Sequence, residues 1–457
     1  MIDLSPIPRC FSEKELKQSF KRVNWSCYGR VTEVVGTIVE AILPNCPLGT
    51  IVKINATIDR VILAEVVGFK SGKVLLLPYE ELQGVAPGCQ IYPLKSFSHI
   101  EVNDNLLGQV LDAFMQPIGQ NVAPKNPSSP TYTFPLDRKS PNPMERQRIA
   151  SPLGLGVRAI DGLLTFGQGQ RIGIMAGSGV GKSVLMGMVA ENSDADVNVI
   201  ALIGERGREV REFIERDLGP EGIKNSVVVA VTSDQSPLMR IRGAKVATSI
   251  AEYFSSQGKQ VMLIMDSLTR VAMAQREIGN AIGEPPTTKG YTPSVFSLLP
   301  KILERAGPQA EGRGSISGIY TVLVDGDDFN DPVADCVRSI LDGHINLSRD
   351  LAAKGHFPAI EIETSASRVM SDIASKKHLG LAKKIKELIS VYNQNFDMVQ
   401  MGVYTPGTNP ILDEAIALMP AIDSYLRQDR DDRSRLSDVT VKMSQILASA
   451  NQVAQNA

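Results

Sequence analysis

Residues 176–183 read Ala-Gly-Ser-Gly-Val-Gly-Lys-Ser, and no other stretch of the chain is so closely matched to a chemical task. Holding phosphate requires backbone N–H groups turned inward, and that requires glycines, which tolerate unusual φ and let the main chain approach closely. Ala176, Gly177, Ser178, Gly179, Val180 and Gly181 would form the cradle. Lys182 would reach the β/γ-phosphates of a nucleotide, and the Ser183 hydroxyl would hold Mg²⁺. The first position is Ala where the strict pattern has Gly. Context compensates: an apolar strand, RIGIM, enters the loop, and a helical period with Val184, Leu185, Met188 and Val189 leaves it. That helix aims its N-terminal dipole at the anion. A chance glycine-rich turn would lack this placement.

Other polar residues fall where such a site needs them. The run VMLIMD ends in Asp266, 84 residues after Lys182, as expected of a metal-holding acid at the carboxyl edge of an open α/β sheet. Between them, NVIALIG ends in GERGRE, which puts Glu205 at a strand edge where a carboxylate can orient and polarise water. The same residues read equally as a solvated charge cluster of Arg206, Arg208, Glu209, Arg211 and Glu212. Phosphoryl transfer also needs a cation on the transferring group. Arg270 and Arg368 are candidates, and pattern alone does not choose between them.

Several other chemistries are disfavoured. The histidines (His99, His344, His356, His378) have no metal-ligand spacing and read as structural. Asp325, Asp327, Asp328 and Asp331 lack the Gly and terminal Glu of a calcium loop. The five cysteines are odd in number and scattered, with no CxxC, so neither a disulfide framework nor a zinc site is expected. A net charge of −2 and 5% aromatics argue against a nucleic-acid-coating protein or a stacking platform for single strands. No run of 18 apolar residues and no secretory signal occur, so a cytosolic protein with at most peripheral membrane contact is expected.

The elements that must position these residues divide the 457-residue chain into about three domains. Residues 1–24 predict a short amphipathic helix: Ser12 and Glu15 have capping-box spacing, and Leu16, Phe20 and Val23 share a face. It would pack on its own domain, or dock on a partner or an anionic membrane surface. Residues 25–95 hold short β-rich runs broken by Gly, Pro and Asn, which suggests a small barrel or sandwich. The proline-dense stretch 96–150 reads as a connector laid over a surface. From 151 to 370, apolar strands at 171–175, 197–203, 227–231, 261–265 and 319–324 alternate with helices, as in a parallel sheet covered on both faces. Residues 371–457 predict helices, with Ile385, Leu388, Ile389 and Tyr392 on one face and Ile411, Ala415, Leu418 and Ile422 on another.

Taken together, AGSGVGKS, GERGREVREFIERDLGPEG, VMLIMDSLTRVAMAQREIG, GEPPTTKGYTPSVFSLLPKILERAG and PAIEIETSASRVM resemble the rotary-ATPase catalytic-subunit superfamily. Within it they are most similar to the flagellum-specific type III export ATPases. The resemblance implies a multidomain α/β fold: an N-terminal β-barrel, a central RecA-like P-loop domain with a mainly parallel sheet, and a C-terminal α-helical domain. It implies that ATP and Mg²⁺ bind at Lys182 and Ser183, that Glu205 is the catalytic carboxylate, and that Asp266 is the acid of the metal strand. Arg206 and Arg270 would lie close to the γ-phosphate, and Arg368 resembles an arginine finger donated by a neighbouring subunit. Phe357, in GHFPAI, matches an aromatic that packs on adenine, with Tyr404 as a second candidate. Glu361 replaces the usual Asp or Asn of a P-A-[LIV]-[DN] signature.

A chain with both Glu205 and Arg368 could complete every site of a ring made from identical copies, which predicts a homohexamer. The implied partners are a stator-like regulator at the N-terminal helix, a coiled-coil stalk in the pore, export chaperone–substrate complexes and a membrane export gate. The 290–296 loop, GYTPSVF, would face the pore or pack between subunits. The competing readings are a virulence-associated type III secretion ATPase, a ring acting mainly as a docking scaffold, and a hexameric RNA translocase.

Overall fold

The computed structural model describes residues 28–94, 98–119, 129–324 and 331–456. The helix expected within residues 1–24 lies outside them, as do Asp325, Asp327 and Asp328. Asp331 caps the Pro332–Ile340 helix, its carboxylate accepting from the Val333 and Ala334 N–H groups. The chain divides into two compact units, residues 1–97 and 98–457.

In the first unit, six short strands close a barrel: β1 (Gly29–Val35), β2 (Ile38–Ile42), β3 (Ile51–Asn55), β4 (Val61–Lys70), β5 (Lys73–Pro78) and β6 (Gln90–Pro93). Their order is β1-β2-β5-β4-β3-β6, and β6 pairs back onto β1. Alternation decides the interior: Ile62, Ala64 and Val66 of β4 point inward with Val39, Ile54, Leu76 and Ile91. Closure leaves no strand edge unpaired, which settles the choice between barrel and sandwich.

The second unit is built on an eight-stranded sheet. In chain order its strands are β8 (Val110–Leu111), β10 (Arg171–Ala176), β11 (Val197–Glu205), β12 (Ser226–Thr232), β13 (Val261–Asp266), β14 (Ile316–Leu323), β15 (Gly343–Leu347) and β16 (Ile360–Ser367). The spatial order is β16-β15-β10-β14-β13-β11-β12-β8, and β7 (His99–Val102) pairs with β9 (Tyr132–Pro135) in a small separate sheet. Every neighbouring pair of the large sheet is parallel except β15 with β16. All six residues of β13 are buried, as a strand covered on both faces requires.

The five strands expected from the sequence are all present, within a few residues of their expected ends. Strands β15 and β16 extend the sheet beyond them. The 96–150 stretch is also more than a connector, since β7, β8 and β9 all come from it. The C-terminal helices Lys376–Gln394, Pro410–Leu426 and Leu436–Asn456 share one apolar core with the Arg158–Leu163 helix and the sheet, through Ile160, Leu163, Ile385, Leu388, Ala415, Leu418 and Ile422. Ile411 departs from its expected face: it is exposed in the first turn, and Leu412 is buried instead.

The proline-rich stretch is fastened to this unit by a buried arginine. Arg305, 3% exposed, donates to both carboxylate oxygens of Glu252 (2.8 and 3.0 Å), to Leu136 O (2.6 Å) and to Ser249 Oγ (2.8 Å). Removing one partner of a buried pair strands the other without water, at a cost of about 3–5 kcal/mol. The exposed pair Lys245–Asp137 (2.7 Å) is worth under about 1 kcal/mol. Arg305→Ala is therefore expected to lower the denaturant midpoint strongly and Lys245→Ala hardly at all, as chemical unfolding followed by circular dichroism will show.

Candidate active site

The site forms where four strands end. β10 ends in Ala176, residues 177–181 turn, and the Lys182–Asn192 helix begins behind them. Gly181, with φ +89°, caps that helix, and a Cβ placed there would come within 3.3 Å of the Phe357 ring. Only glycine fits both the backbone and the ring.

Lys182 Nζ bonds the Asp266 carboxylate at the end of β13 and lies 3.9 Å from Glu205 Oε1 at the end of β11. Asp266 Oδ1 also accepts from Thr321 Oγ1 of β14 at 2.6 Å, which fixes the carboxylate's orientation. Glu205 reaches this cluster through a bulge: the β11–β12 register shifts between Ile203 and Glu205, and Gly204 there has φ +73°. An extra residue in a strand re-aims the side chain that follows. A Cβ at Gly204 would sit 2.8 Å from Arg270 Cβ, so the Arg270 stem packs directly on the bulge.

One ammonium thus serves two carboxylates in a largely buried setting. Burial, and then the charge of Asp266, push the Glu205 carboxyl up to about 7, and Lys182 only partly offsets them. Glu205 Oε1 is buried with no hydrogen-bond partner, and so is Arg270 Nε. An orphaned carboxylate oxygen, a lysine and an open glycine turn fit a triphosphate with an attacking water and a divalent cation. Ser183, exposed in the first helical turn, and Asp266 would hold the cation.

The other sequence candidates are placed as follows. Arg206 precedes the Gly207–Glu212 helix; its side chain is 80% exposed and paired to Glu209 Oε1 at 3.0 Å, and Glu209 in turn hydrogen-bonds Glu205. The Phe357 ring, 45% exposed, stands against Gly181 and offers an open aromatic face beside the cradle. Tyr404 uses its hydroxyl in its own loop, donating to Asp413 Oδ1 at 2.9 Å and accepting from Asn409 N at 3.2 Å. Glu361 lies in β16 opposite Asn346, its carboxyl raised by burial and then by Glu363. Each described histidine has a partner consistent with a structural role: His344 meets Thr364 O, His378 meets Gly162 O, His356 meets Asp423 and His99 meets Ser98. The 290–296 stretch is loop only as far as Thr292, because a helix opens at Pro293 (Pro293–Leu303); Tyr291 is buried, edge-on to Phe296 and beneath Arg276.

Arg368 lies at the other end of the sheet. Because β16 runs antiparallel to β15, its last residue, Ser367, pairs with Gly343, the first of β15. Arg368 N donates to Asp342 O, and the Asp342 carboxylate in turn bonds Arg171 at the start of β10. The P-loop leaves the far end of β10, about 16 Å of strand away. Arg368 Nη2 donates to Arg338 O at 3.1 Å on that opposite edge.

Sequence reasoning missed Thr321, whose only signal is a small hydroxyl side chain inside the otherwise strand-forming run IYTVLV. It also missed the bulge at Gly204, which a glycine before a strand-end glutamate could have suggested.

Residues 156–367 match the ATP synthase alpha/beta family, nucleotide-binding domain, and residues 31–95 match that family's beta-barrel domain. Residues 374–445 match the T3SS EscN ATPase C-terminal domain. The chain is 52% identical over 426 residues to the flagellum-specific ATP synthase of Bacillus subtilis, covering 93% of this chain and 95% of that one. It is 47% identical over 410 residues to the type 3 secretion system ATPase of Xanthomonas euvesicatoria, covering 89% and 91%. Among solved structures, the assembled ATPase EscN from the type III secretion system of enteropathogenic E. coli superposes with a TM-score of 0.86 at 45% identity, over 92% of this chain and all of that one. EscN in complex with its central stalk EscO gives 0.84 at 44% identity, over the same 92% of this chain. The chain belongs to the flagellum-specific and type III secretion ATPases of the ATP synthase alpha/beta family.

Proposed function

We propose that this chain hydrolyses ATP to ADP and phosphate as a homohexameric ring and so energises flagellar type III protein export at the cytoplasmic face of the export apparatus. The observation that carries the reading is the split between the two ends of its sheet. Lys182, Glu205 and Asp266 gather at one end, and Arg368 is held at the other.

Lys182, paired with Asp266 in the free site, turns to the β/γ-phosphates when they enter. Glu205, its carboxyl near neutrality, is poised to orient water and take its proton. Arg270, seated on Gly204 beside Glu205, has a buried Nε free for the developing charge. Phe357 packs on the base. Ser183, and Asp266 through water, would hold Mg²⁺, which when bound neutralises phosphate charge. Arg206 reaches the γ-phosphate only by leaving Glu209. Arg368 cannot turn to its own P-loop and acts on the site of an adjoining copy, so every interface of the ring contributes one complete site.

The identity to the Bacillus subtilis flagellum-specific protein supports the flagellar assignment over the virulence one. The assembled EscN and its EscO complex support a self-assembled ring and a central stalk partner. Among the described residues no helix is long and apolar enough to cross a membrane. The remaining partners follow from membership alone: a stator-like regulator at residues 1–24, chaperone–substrate complexes and the export gate.

Lys182→Ala is expected to abolish phosphate release. Glu205→Gln is expected to keep nucleotide binding and lose about 10²–10⁴-fold in turnover, measured by phosphate release beside a nucleotide-binding assay. Arg368→Ala is expected to be nearly inactive alone. Mixed equally with Lys182→Ala it should recover about a quarter of the wild-type sites, because only interfaces pairing an intact lysine with an intact finger work. No recovery on mixing would end the inter-subunit assignment.

The raised Glu205 carboxyl has a separate signature in ligand-free protein. The unfolded chain releases this proton near 4.5, whereas the folded chain holds it to about 7. Its contribution to stability is complete below 4.5 and lost as pH rises to about 7. Glu205→Gln escapes that loss, so its denaturant midpoint should gain on wild type between pH 5 and pH 8.

A further inference from the structure

Phe357 sits on a short loop before β16, and the loop is fastened from outside the nucleotide-binding region. Three consecutive residues each receive a bond from the end of the Pro410–Leu426 helix and the residues after it. Arg427 Nη1 donates to Gly355 O at 3.3 Å. His356 Nδ1 meets Asp423 Oδ1 at 2.9 Å, with the ring buried and the carboxylate part-exposed. Gln428 N donates to Phe357 O at 2.8 Å.

The holding groups are themselves fixed. Asp423 Oδ2 accepts from Arg427 Nε at 2.7 Å. The buried Gln428 side chain accepts from Arg158 N and donates to Gly156 O, each at 2.8 Å. Arg158 Nη2 returns a bond to Arg427 O at 2.7 Å. The helix end, the 156–158 turn and the Phe357 loop therefore form one hydrogen-bonded body. None of Asp423, Arg427 or Gln428 belongs to the cluster around Lys182, and an aromatic ring half open to solvent has little packing of its own to fix it.

We infer that residues 423–428 of the C-terminal helical region are the positioning element of Phe357, so that these helices set affinity for the nucleotide base without touching the nucleotide. The inference rests on the reading of Phe357 as the base-stacking residue and adds its support and the route by which the C-terminal helices act on it. A ring held beside Gly181 is ready to stack, whereas a ring on a loosened loop must be ordered each time base binds. The phosphate end, held by other elements, is unaffected, so binding changes and chemistry does not.

The test uses the full chain and steady-state hydrolysis of MgATP. Asp423→Ala should raise KM about three- to tenfold and leave kcat within about twofold. Asp423→Asn retains an oxygen to accept from His356 but loses the acceptor for Arg427 Nε, so its KM should fall between those of the unaltered chain and Asp423→Ala. In a Phe357→Ala background the Asp423→Ala change should add less than about twofold, because residues acting through one another are not additive. Arg427→Ala, on a half-exposed side chain, should act in the same direction and serves where Asp423→Ala does not fold. The inference is overturned if Phe357→Ala raises KM but Asp423→Ala and Arg427→Ala do not, if the two effects multiply in full, or if kcat falls in step with KM. A Phe357→Ala chain with unchanged KM would remove the base-stacking reading itself, and the inference with it.

Discussion

One ammonium faces two carboxylates in this protein, in a place from which water is largely excluded. Lys182 satisfies Asp266 by direct contact and Glu205 only at 3.9 Å, so one acid is paired and the other keeps its proton near neutrality. Two buried carboxylates cannot both ionise comfortably beside a single cation. Added positive charge, and a group to take up the free lysine, relieve the imbalance. The cluster is therefore suited to an anion that arrives with its own cation. The strained electrostatics are tolerable because strand ends hold the acids, and Thr321 fixes Asp266 from the neighbouring strand.

The rest of the fold serves that cluster at graded distances. β10, β14, β13 and β11 are adjacent and parallel, so their carboxyl ends meet on one edge and their side chains converge without long loops. The C-terminal helices share their apolar core with the same unit, so they lie against the sheet as part of its cover. The fastening of the Phe357 loop to residues 423–428 is the polar counterpart of that shared core, and it reaches the site at Phe357 rather than at Lys182.

How far this was legible in the sequence depended on whether the controlling physics was local. The P-loop was legible because its glycines, lysine and following helix period are contiguous. Asp266 was legible because a fully apolar run ending in an acid has few other meanings in an alternating α/β pattern. Glu205 was ambiguous because what aims it is the positive φ of Gly204 and a register shift against β12, neither of which a composition pattern reveals. Strands β15 and β16 escaped because an antiparallel edge pair exposes part of its surface and lacks the long apolar run of the central strands. Ile411 misled because an apolar residue in a first helical turn need not face the core. Phe357 came from the resemblance alone, and only the ring's place against Gly181 gives it a physical reason.

The reversal of β16 carries a physiological corollary. With its guanidinium anchored a sheet's length from its own phosphate cradle, a solitary chain holds an incomplete engine, and on the proposed reading fuel is burned only where copies crowd together. Freely diffusing molecules would idle, sparing the cell's energy store until a docking platform gathers them. On that reading the direction of a single edge strand would act as an ignition interlock that ties consumption to location.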